Sequence, residues 1–341
     1  MHGKDLLSAG AAFGAAGDRA ELRISKVCRR RCVFCCEARN LRSGGGFMPL
    51  AEACAIMKRL RSGGARHLTL LGGEPTVHPQ FGRILRVARL LGYSVQVTTD
   101  GTGLADPAAA AALLPAIDEL CLSVHWDGPE LARAVTRLPS AFEAVERVFG
   151  NVGRHGRLKL FMCHTVICSL NARKAAGIAK YVFSRGRPGV YMLSQLIPWG
   201  SVRSSYGGLT VRLPEFARAA RAAAGVIRAN GARPVVSGAP FCALGPLAPF
   251  SNDLLFSPRL VLERGRSYLK ENVLSVKKSA VPPLKRTRTV RCLGCALADR
   301  CAGVFKAYLD RFGDGELRPV AAAAAARILR GRPAAEGAAH G

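Results

Sequence analysis

Short apolar runs alternate with longer segments of helical periodicity from Glu21 to about Asn230. A short apolar run bounded by turn residues is typical of a buried strand, and a longer run with apolar residues at helical spacing is typical of a crossover helix. The alternation therefore predicts repeated βα units around a parallel sheet. Six strands are predicted: Leu22–Val27, His67–Leu71, Ser94–Thr98, Glu119–Val124, Leu158–Val166 and Val190–Ile197.

Two of the predicted helices have recognisable ends. Pro49 precedes a helical pattern that Gly63 and Gly64 close, and apolar residues repeat at helical spacing from Phe81 to Leu91. Proline is favoured at the start of a helix and glycine just after its end. Six βα units, rather than eight, predict an open partial barrel of the TIM type, a (β/α)6 fold whose chemistry is expected at the carboxyl ends of the strands.

The pattern changes after residue 230. Residues 231–320 contain proline-rich stretches, few long helices and four cysteines near the two ends of the segment, which indicates a second module. The alanine- and arginine-rich residues 321–341 are predicted to be a disordered tail beyond any terminal helix. The expected organisation is an N-terminal extension over 1–20, a core barrel over 21–230, the second module and this tail.

Composition adds a prediction of compartment. The chain has 341 residues, 49% of them hydrophobic and 21% charged, as is ordinary for a globular protein. Residues 1–20 lack the continuous apolar stretch of a signal peptide, and no later run reaches membrane-spanning length. We therefore expect a cytoplasmic protein with no membrane partner. Twelve cysteines in such a chain indicate metal ligands rather than disulfides.

The charge balance indicates an anionic partner. The chain carries 50 basic and 23 acidic residues, for a formal net charge of +27. A field of this sign attracts RNA, a phosphorylated metabolite or an acidic peptide. The other interpretation is a set of scattered, solvated arginines that forms no single patch.

Three cysteines follow the first predicted strand. Cys28, Cys32 and Cys35 stand in the string CRRRCVFC, which supplies one thiolate fewer than a four-iron cluster usually takes. A cluster held at three corners leaves its fourth iron open to bind a small molecule and to pass it an electron. A zinc knot or a group of packed thiols is the alternative interpretation of these cysteines taken alone.

A second motif follows the second predicted strand. Residues 72–76 read Gly-Gly-Glu-Pro-Thr and come directly after the apolar run 68–71. A Gly-Gly turn after a strand is commonplace. In this order, however, the cysteine loop and the turn together resemble the radical S-adenosylmethionine (SAM) enzymes. The resemblance implies the open barrel fold, a SAM-binding [4Fe-4S] cluster, reductive cleavage of SAM to a 5′-deoxyadenosyl radical, and hydrogen abstraction from a substrate.

The resemblance also implies site residues. Cys28, Cys32 and Cys35 would hold the cluster, and the backbone of the Gly-Gly-Glu-Pro turn would receive the amino group of SAM. Phe34 would lie by the adenine, although a phenylalanine there could equally fill the core. Asp100 stands where the family often has Asn. The residues expected to bind SAM are Phe34, Gly72, Gly73, Glu74, Pro75, Thr98, Thr99 and Ser123.

Several residues near these motifs have no role that the motifs define. His125 and Asp127 flank Trp126 after the fourth predicted strand and are candidates to face SAM or the substrate, or else belong to a packed loop. The three arginines 29–31 inside the cysteine loop are expected to form a solvated face. Their alternative roles are to steer an anionic substrate or to tune the potential of the cluster.

The second module carries a further cysteine set. Cys292, Cys295 and Cys301 have the spacing x2 and x5, and Cys242 is a plausible fourth ligand from upstream. The arrangement resembles a reduced form of the auxiliary-cluster modules called SPASM or Twitch domains, which implies one auxiliary [4Fe-4S] cluster. A four-cysteine zinc ribbon is the alternative. The cysteines expected to be small buried apolar residues are Cys36, Cys54, Cys121, Cys163 and Cys168.

The function predicted from these features is that of a radical SAM oxidoreductase or maturase acting on a ribosomally made peptide, supplied with electrons by a donor such as a flavodoxin or ferredoxin. An enzyme acting on an anionic metabolite, such as a nucleoside or sugar, is the second hypothesis, and one acting on RNA is less favoured because no RNA-binding appendage is evident. A non-catalytic protein that binds zinc or nucleic acid is the competing class.

Overall fold

The computed structural model of the chain describes residues 18–38, 46–255, 259–264, 274–279 and 286–331. Most of the predicted extension over 1–20 and the last residues of the predicted tail lie outside this description. The strands are β1 (Arg19–Ser25), β2 (His67–Gly72), β3 (Ser94–Thr99), β4 (Glu119–Ser123), β5 (Leu160–Ile167), β6 (Val190–Gln195), β7 (Arg233–Ser237), β8 (Arg259–Arg264), β9 (Leu274–Ser279), β10 (Arg286–Thr287) and β11 (Val304–Phe305).

Nine of these strands form one sheet in the order β7-β6-β5-β4-β3-β2-β1-β8-β9. Every neighbouring pair is parallel except β8 and β9, which are antiparallel, so the sheet contains eight parallel strands. Its edges, β7 and β9, are at opposite ends of the order, so the sheet is open. The predicted fold class, an α/β open barrel-like sheet, is confirmed.

All six predicted strands are present as β1 to β6, and two further parallel strands extend the sheet at its edges. The sequence Arg-Pro-Val-Val-Ser of β7 contains Pro234, which argues against a strand unless the strand is at an edge, where β7 lies. The other edge of the sheet is β9. The predicted division near residue 230 stays a prediction.

Helices connect the parallel strands. The longer ones are α1 (Leu50–Ser62), α2 (Phe81–Leu90), α3 (Pro107–Leu113), α4 (Pro129–Thr136), α5 (Ala141–His155), α6 (Ala175–Arg185), α7 (Leu213–Ala229), α8 (Lys306–Phe312) and α9 (Ala322–Arg330), and single helical turns span Tyr206–Leu209, Phe241–Leu244 and Asn252–Leu255. Both predicted helices are confirmed as α1 and α2. None of the helices within the described ranges is long and apolar enough to cross a membrane.

Helix α2 shows why these segments are helical and how they pack. Its residues Phe81, Ile84, Leu85 and Ala88 are buried. They recur at spacings of three and four residues, which places them on one face of a helix. The intervening arginines of the helix are exposed, so the amphipathic pattern alone orients α2 with its apolar side against the sheet.

Alternation along the strands separates an outer from an inner face of the sheet. In β3, Val95 and Val97 are buried, whereas Gln96 and Thr98 are only partly buried. Gln96 accepts a hydrogen bond from the Thr69 hydroxyl in β2 (2.8 Å), and its Nε2 lies 4.0 Å from Sδ of Met162 in β5. A contact from β3 to β5 across the intervening strand requires a curved sheet, so these polar residues face the interior of the barrel.

The C-terminal segment packs against the barrel through helix α8. The backbone N–H of Leu213, at the start of α7, donates to the hydroxyl of Tyr308 (2.7 Å), and Arg212 pairs with Glu316 (2.6 Å). Tyr308 is 1% exposed. These contacts bring the cysteine-containing end of the chain beside the barrel.

Asp118, at the amino end of β4, joins strands β3 to β5 through its carboxylate. It accepts hydrogen bonds from the backbone N–H of Val95 (2.9 Å), from Lys159 (3.1 Å) and from Arg89. Burial opposes the charged form of Asp118, but the Val95 bond and the two cations outweigh it and hold its pKa below the ordinary value of 3.8. A carboxyl with a depressed pKa stabilises the fold above its unfolded pKa and loses that contribution as the pH falls through the folded pKa.

We expect Asp118→Asn to lower the free energy of unfolding by about 1–3 kcal/mol at pH 7, because the buried N–H of Val95 and the cations Arg89 and Lys159 lose a charged acceptor. The difference from the parent should narrow as the pH falls below about 4. Urea denaturation at several pH values measures both effects. Asp299→Asn, at an exposed aspartate, is the control and should leave stability nearly unchanged. Equal stability of Asp118→Asn and the parent at pH 7 would contradict the assignment.

Candidate functional site

The residues of the two N-terminal motifs meet at the carboxyl edge of the sheet. The cysteine loop follows β1, and the Gly-Gly-Glu-Pro-Thr turn follows β2. The backbone N–H of Gly73 donates to the carbonyl oxygen of Ser25 (2.7 Å), and that of Glu74 donates to the carbonyl oxygen of Val27 (2.8 Å). Two backbone hydrogen bonds therefore hold the turn against the end of β1, where the cysteine loop starts.

The cysteine loop itself is held from several sides. Within it, the backbone N–H of Cys35 donates to the carbonyl oxygen of Cys32 (3.0 Å) and closes a tight turn. From helix α4, the carbonyl oxygens of Val135 and Thr136 accept hydrogen bonds from the backbone of Val33 (2.9 Å) and Arg31 (2.8 Å). Cys28, Cys32 and Cys35 are partly buried free thiols at one end of the barrel.

Burial raises the pKa of these thiols, so they stay protonated in the absence of a metal. It raises the pKa of Cys32 to about 12 and that of Cys35 to about 11, and it also raises the pKa of Cys28, with a further increase from Asp100. Thiolates are the form that binds iron, so binding of a cluster would release protons. The three thiols fit a site that is completed by a metal cluster rather than a set of free nucleophiles.

Glu74 locks the turn in place. Its buried carboxylate accepts hydrogen bonds from the backbone N–H of Thr76 (2.9 Å), from the hydroxyl of Thr99 (2.6 Å) and from the backbone N–H of Asp100 (2.6 Å). Burial, and then the nearby charge of Asp100, raises the pKa of Glu74 to about 8. The side chain joins the ends of β2 and β3, which leaves the backbone of the turn as the part available to a ligand.

Gly72 is required by the close approach of two strands. Its φ of +148° lies in a region that L-residues rarely adopt, and a Cβ atom at this position would lie 2.2 Å from the carbonyl oxygen of Ser25. Gly72, Gly73, Glu74 and Pro75 thus form a compact backbone cradle against β1. The space beside Gly72 is occupied by the backbone of Ser25, so the glycine allows the turn to pack tightly against β1, and the SAM-binding role of the turn stays a prediction.

The three predicted hydroxyl residues do not share one face. Thr98 and Ser123 are partly buried and lie on the inner face of the sheet. Thr98 is on the same side of β3 as Gln96. Cys121 in β4 pairs with Thr98, and Ser123, two residues further along β4, is on the same side as Cys121. Thr99 points the other way, where its hydroxyl donates to Glu74. The geometry leaves Thr98 and Ser123 open to a ligand inside the barrel, and Thr99 acts on the site through Glu74.

His125 and Asp127 are separated by the fold. The ring of His125 lies against Phe34 of the cysteine loop, edge to face, with 4.7 Å between centroids. Its Nδ1 accepts a hydrogen bond from the backbone N–H of Val166 (3.1 Å), and burial, His164 and Arg30 lower its pKa, so the neutral ring carries its proton on Nε2. Asp127 instead pairs with Lys174 (3.4 Å). The structure favours His125 as the residue near the cluster loop.

Arg30 departs from the sequence prediction. Residues 29–31 were expected to form one solvated face, and Arg29 and Arg31 are exposed, but Arg30 is only 3% exposed, so the prediction is wrong for this residue. Its guanidinium lies 5.1 Å from the ring centroid of Trp126, and its Nε lies 3.4 Å from a carboxylate oxygen of Asp100. Consecutive loop residues point in different directions, which the sequence alone does not reveal.

Two further polar residues inside the barrel were missed by the sequence analysis. His164 in β5 and Ser194 in β6 are joined by a hydrogen bond between Nε2 and Oγ (2.8 Å). Residue pairing places His164 level with Ser123. The sequence does not predict a site at His164, because the face of the sheet on which its side chain lies depends on the register of the strands.

The C-terminal cysteines line one cavity. The cavity is partly open to solvent, and three arginines lie in its wall. Two sulfurs accept backbone hydrogen bonds, Cys295 from Val320 (3.3 Å) and Cys301 from Gly303 (3.4 Å). Such N–H···S contacts orient and tune sulfur ligands of metal clusters. The cysteines in the wall are Cys242, Cys292, Cys295 and Cys301.

The remaining cysteines are distributed through the fold. Cys163 and Cys168 are buried, as predicted, whereas Cys36, Cys54 and Cys121 are partly buried. Phe305, in β11 near Cys301, is 2% exposed and packs in the core.

Residues 22–181 match the family model described as the radical SAM superfamily. An S-adenosylmethionine-dependent nucleotide dehydratase of Flammeovirga pacifica is 30% identical over 81 residues, which are 23% of this chain and 28% of the relative. A GTP 3′,8-cyclase of Chlorobaculum tepidum is 26% identical over 137 residues, 40% of this chain and 41% of the relative. The chain thus spans less than half the length of these curated relatives.

Two solved structures resemble the whole chain in fold. SuiB of Streptococcus suis, bound to the precursor peptide SuiA, has a TM-score of 0.62 and is 15% identical in sequence. The match covers 93% of this chain and 78% of the SuiB chain. The enzyme anSMEcpe with bound AdoMet has a TM-score of 0.59 at 15% identity over 91% of this chain and 96% of its own. At this identity the likeness concerns the fold alone.

Proposed function

From the match of residues 22–181 to the radical SAM superfamily, we propose that the chain cleaves SAM reductively and abstracts hydrogen from a ribosomally made peptide, as a maturase or oxidoreductase. The observation that carries the proposal is the contact between the two motifs at the strand ends. There, the backbone N–H of Gly73 donates to the carbonyl oxygen of Ser25 (2.7 Å), and this contact supports the proposal that the turn binds SAM beside the cysteine loop.

Each part of the site has a role in this proposal. Cys28, Cys32 and Cys35 would hold a [4Fe-4S] cluster with one open iron, which would supply the electron that cleaves SAM to the 5′-deoxyadenosyl radical. The turn beginning at Gly72 would bind the amino group of SAM. Phe34 would lie against the adenine, with the ring of His125 packed on its face at 4.7 Å between centroids.

The barrel interior would orient the substrate and the remainder of SAM. Thr98 and Ser123 offer hydroxyl groups on the inner face of β3 and β4, where they would bind the carboxylate or ribose of SAM. His164 and Ser194, hydrogen bonded to each other at 2.8 Å, lie on neighbouring strands of the same interior. Because burial lowers the pKa of His164 to about 4, its imidazole would be neutral near pH 7.

We propose one auxiliary [4Fe-4S] cluster in the C-terminal cavity, held by Cys242, Cys292, Cys295 and Cys301. The support is that all four cysteines line the same cavity, in which backbone N–H groups donate to two of the sulfurs. Full ligation by four thiolates favours a role in accepting the electron that remains after hydrogen abstraction, rather than in binding substrate.

The peptide substrate is proposed because the chain shares its fold, over both the barrel and the C-terminal segment, with a protein bound to a precursor peptide. A nucleotide or another anionic metabolite is the second candidate. It is favoured by the formal net charge of +27 and by relatives named as a nucleotide dehydratase and a GTP cyclase. RNA is a weaker candidate on the same charge argument.

The cellular context of the proposal is a reducing one. All twelve cysteines of the chain are free thiols, a state typical of proteins in the cytoplasm. We propose a cytoplasmic location and a small one-electron donor, such as a flavodoxin or ferredoxin, as the partner that reduces the cluster of the barrel.

The proposal is tested by anaerobic reconstitution with iron and sulfide, followed by dithionite and SAM. We expect about eight irons per chain, as two four-iron clusters require, and the formation of 5′-deoxyadenosine. Addition of candidate peptides or of nucleotides should then show which class changes the rate and product of SAM cleavage. Tightly bound zinc in place of iron, with no 5′-deoxyadenosine under any of these conditions, would contradict the enzyme proposal.

The auxiliary cluster leads to a separate prediction. Cys295→Ala should reduce the iron content from about eight to about four per chain, because a ligand with an N–H···S contact to Val320 is lost. Formation of 5′-deoxyadenosine should persist, since the barrel site is unchanged. Cys54→Ala, in helix α1, is the matched control and should keep the full iron content. Eight irons in Cys295→Ala would show that this residue is not a ligand.

A further inference from the structure

Asp100 stands at the end of β3 where its carboxylate faces the first cysteine of the loop. Its Oδ2 lies 3.5 Å from the sulfur of Cys28. The other oxygen, Oδ1, accepts hydrogen bonds from the backbone N–H of Thr102 (2.8 Å) and from the Thr102 hydroxyl (2.5 Å). The orientation of the carboxylate is therefore set by Thr102, and Oδ2 is directed toward the cysteine loop.

Arg30 supplies the opposite charge from within the loop. Its side chain is 2% exposed, and its Nε lies 3.4 Å from Oδ2 of Asp100. A guanidinium N–H of Arg30 also donates to the backbone carbonyl oxygen of Asp100 (2.5 Å). The guanidinium also lies over Trp126, at 5.1 Å from the ring centroid. This arginine is fixed between a carboxylate and an indole ring and is shielded from water.

The two charges act in opposite directions on the cysteines. Asp100 places a negative charge 3.5 Å from the sulfur of Cys28, and Arg30 places a positive charge inside the loop, between Cys28 and Cys32. A nearby carboxylate opposes any added negative charge, and a nearby guanidinium favours it. Because the Arg30 side chain is buried and the Asp100 side chain is only 12% exposed, these effects are stronger than they would be in water.

A ligand sulfur that binds iron has lost its proton and donates no hydrogen bond. The carboxylate of Asp100 would then act on Cys28 by charge alone, and Arg30 would offset it. Net charge and hydrogen bonding around the sulfurs are among the factors that determine the reduction potential of an iron–sulfur cluster. An electron added to the cluster would experience the same two opposing charges.

We propose that Asp100 and Arg30 form a charge pair that sets the reduction potential of the cluster held by Cys28, Cys32 and Cys35, with Asp100 lowering the potential and Arg30 raising it. This inference rests on the proposed function, because it requires a cluster at the three cysteines. In this proposal, Asp100 and Arg30 are positioning residues that act through the cluster ligands and do not contact the reacting atoms.

The test is a redox titration of the reconstituted full-length protein without SAM, followed by electron paramagnetic resonance of the reduced cluster. Asp100→Asn keeps the acceptor that Thr102 uses and removes the charge, so the midpoint potential should shift to a more positive value. Arg30→Gln should shift it to a more negative value. The double variant should return toward the parent, because a neutral pair replaces a pair whose charges cancel.

Two controls separate charge from structure. Arg29→Gln changes an exposed arginine of the same loop and should leave the potential unchanged, and Arg30→Lys should restore most of the parental value. Asp100→Asn with a full iron content and a parental or more negative potential would overturn the inference. If Arg30→Gln does not fold, the midpoint potential of Asp100→Asn alone tests the inference. A parent that forms neither cluster signal nor 5′-deoxyadenosine would overturn the proposed function as well, so the two failures are distinguishable.

Discussion

Cys32→Ala should abolish the formation of 5′-deoxyadenosine. Cys32 is the middle cysteine of the loop after β1, and its removal would leave two thiolates to hold a cluster that needs three. The iron content should fall from about eight to about four per chain, because only the auxiliary cluster would remain. Anaerobic reconstitution, iron analysis and chromatography of the products after addition of dithionite and SAM measure both effects.

The matched control for this variant lies in the same loop. Cys36 is the neighbour of Cys35 and is also a partly buried free thiol, but it is outside the three-cysteine spacing. Cys36→Ala should therefore retain the iron content and form 5′-deoxyadenosine at a rate close to that of the parent. Product formation by Cys32→Ala, or equal loss in both variants, would contradict the assignment of the cluster ligands.

Gly72→Ala should have the second largest effect, on both stability and SAM binding. A methyl group at this position would lie 2.2 Å from the carbonyl oxygen of Ser25, and the φ of +148° adds strain for any residue with a Cβ. We expect the free energy of unfolding to fall by about 2–4 kcal/mol. The turn must move away from β1, so SAM affinity should weaken by about tenfold or more.

Chemical denaturation and equilibrium binding of SAM measure these two losses. Gly225→Ala in helix α7 is the matched control, because no atom beyond its chain neighbours and the adjacent backbone of its own helix lies within 4 Å of the added methyl group and alanine is favoured over glycine inside a helix. It should be neutral or slightly stabilising. Unchanged SAM affinity in Gly72→Ala would show that the turn does not form the SAM cradle.

Much of the fold was predictable because it depends on local patterns. Helix α2 follows from apolar residues at spacings of three and four, and the strands β1 to β6 follow from short apolar runs between turns. Strand β7 was not predicted, because Pro234 argues against a strand and only the position at the edge of the sheet permits it. Strand β8 joins β1, about 240 residues earlier in the chain, and local patterns carry no information about such a pairing.

The site was predictable where the spacing of residues within one loop defines it. The cysteine loop and the Gly-Gly-Glu-Pro-Thr turn could be identified from the sequence, and parallel strands bring their carboxyl ends to one edge. The direction of each side chain could not be identified. Thr98 and Thr99 are neighbours, yet one faces the barrel interior and the other donates to Glu74.

The sequence by itself determined the order of βα units, the two cysteine sets and the excess of positive charge, because each depends on residue types at fixed spacings along the chain. Only the tertiary structure decided that Arg30 is buried against Asp100, that His164 meets Ser194, and that Cys242 lines the same cavity as Cys295. These contacts join residues that are 30 or more positions apart. Their formation depends on strand register and loop packing, which follow from burial of the whole core rather than from any local pattern.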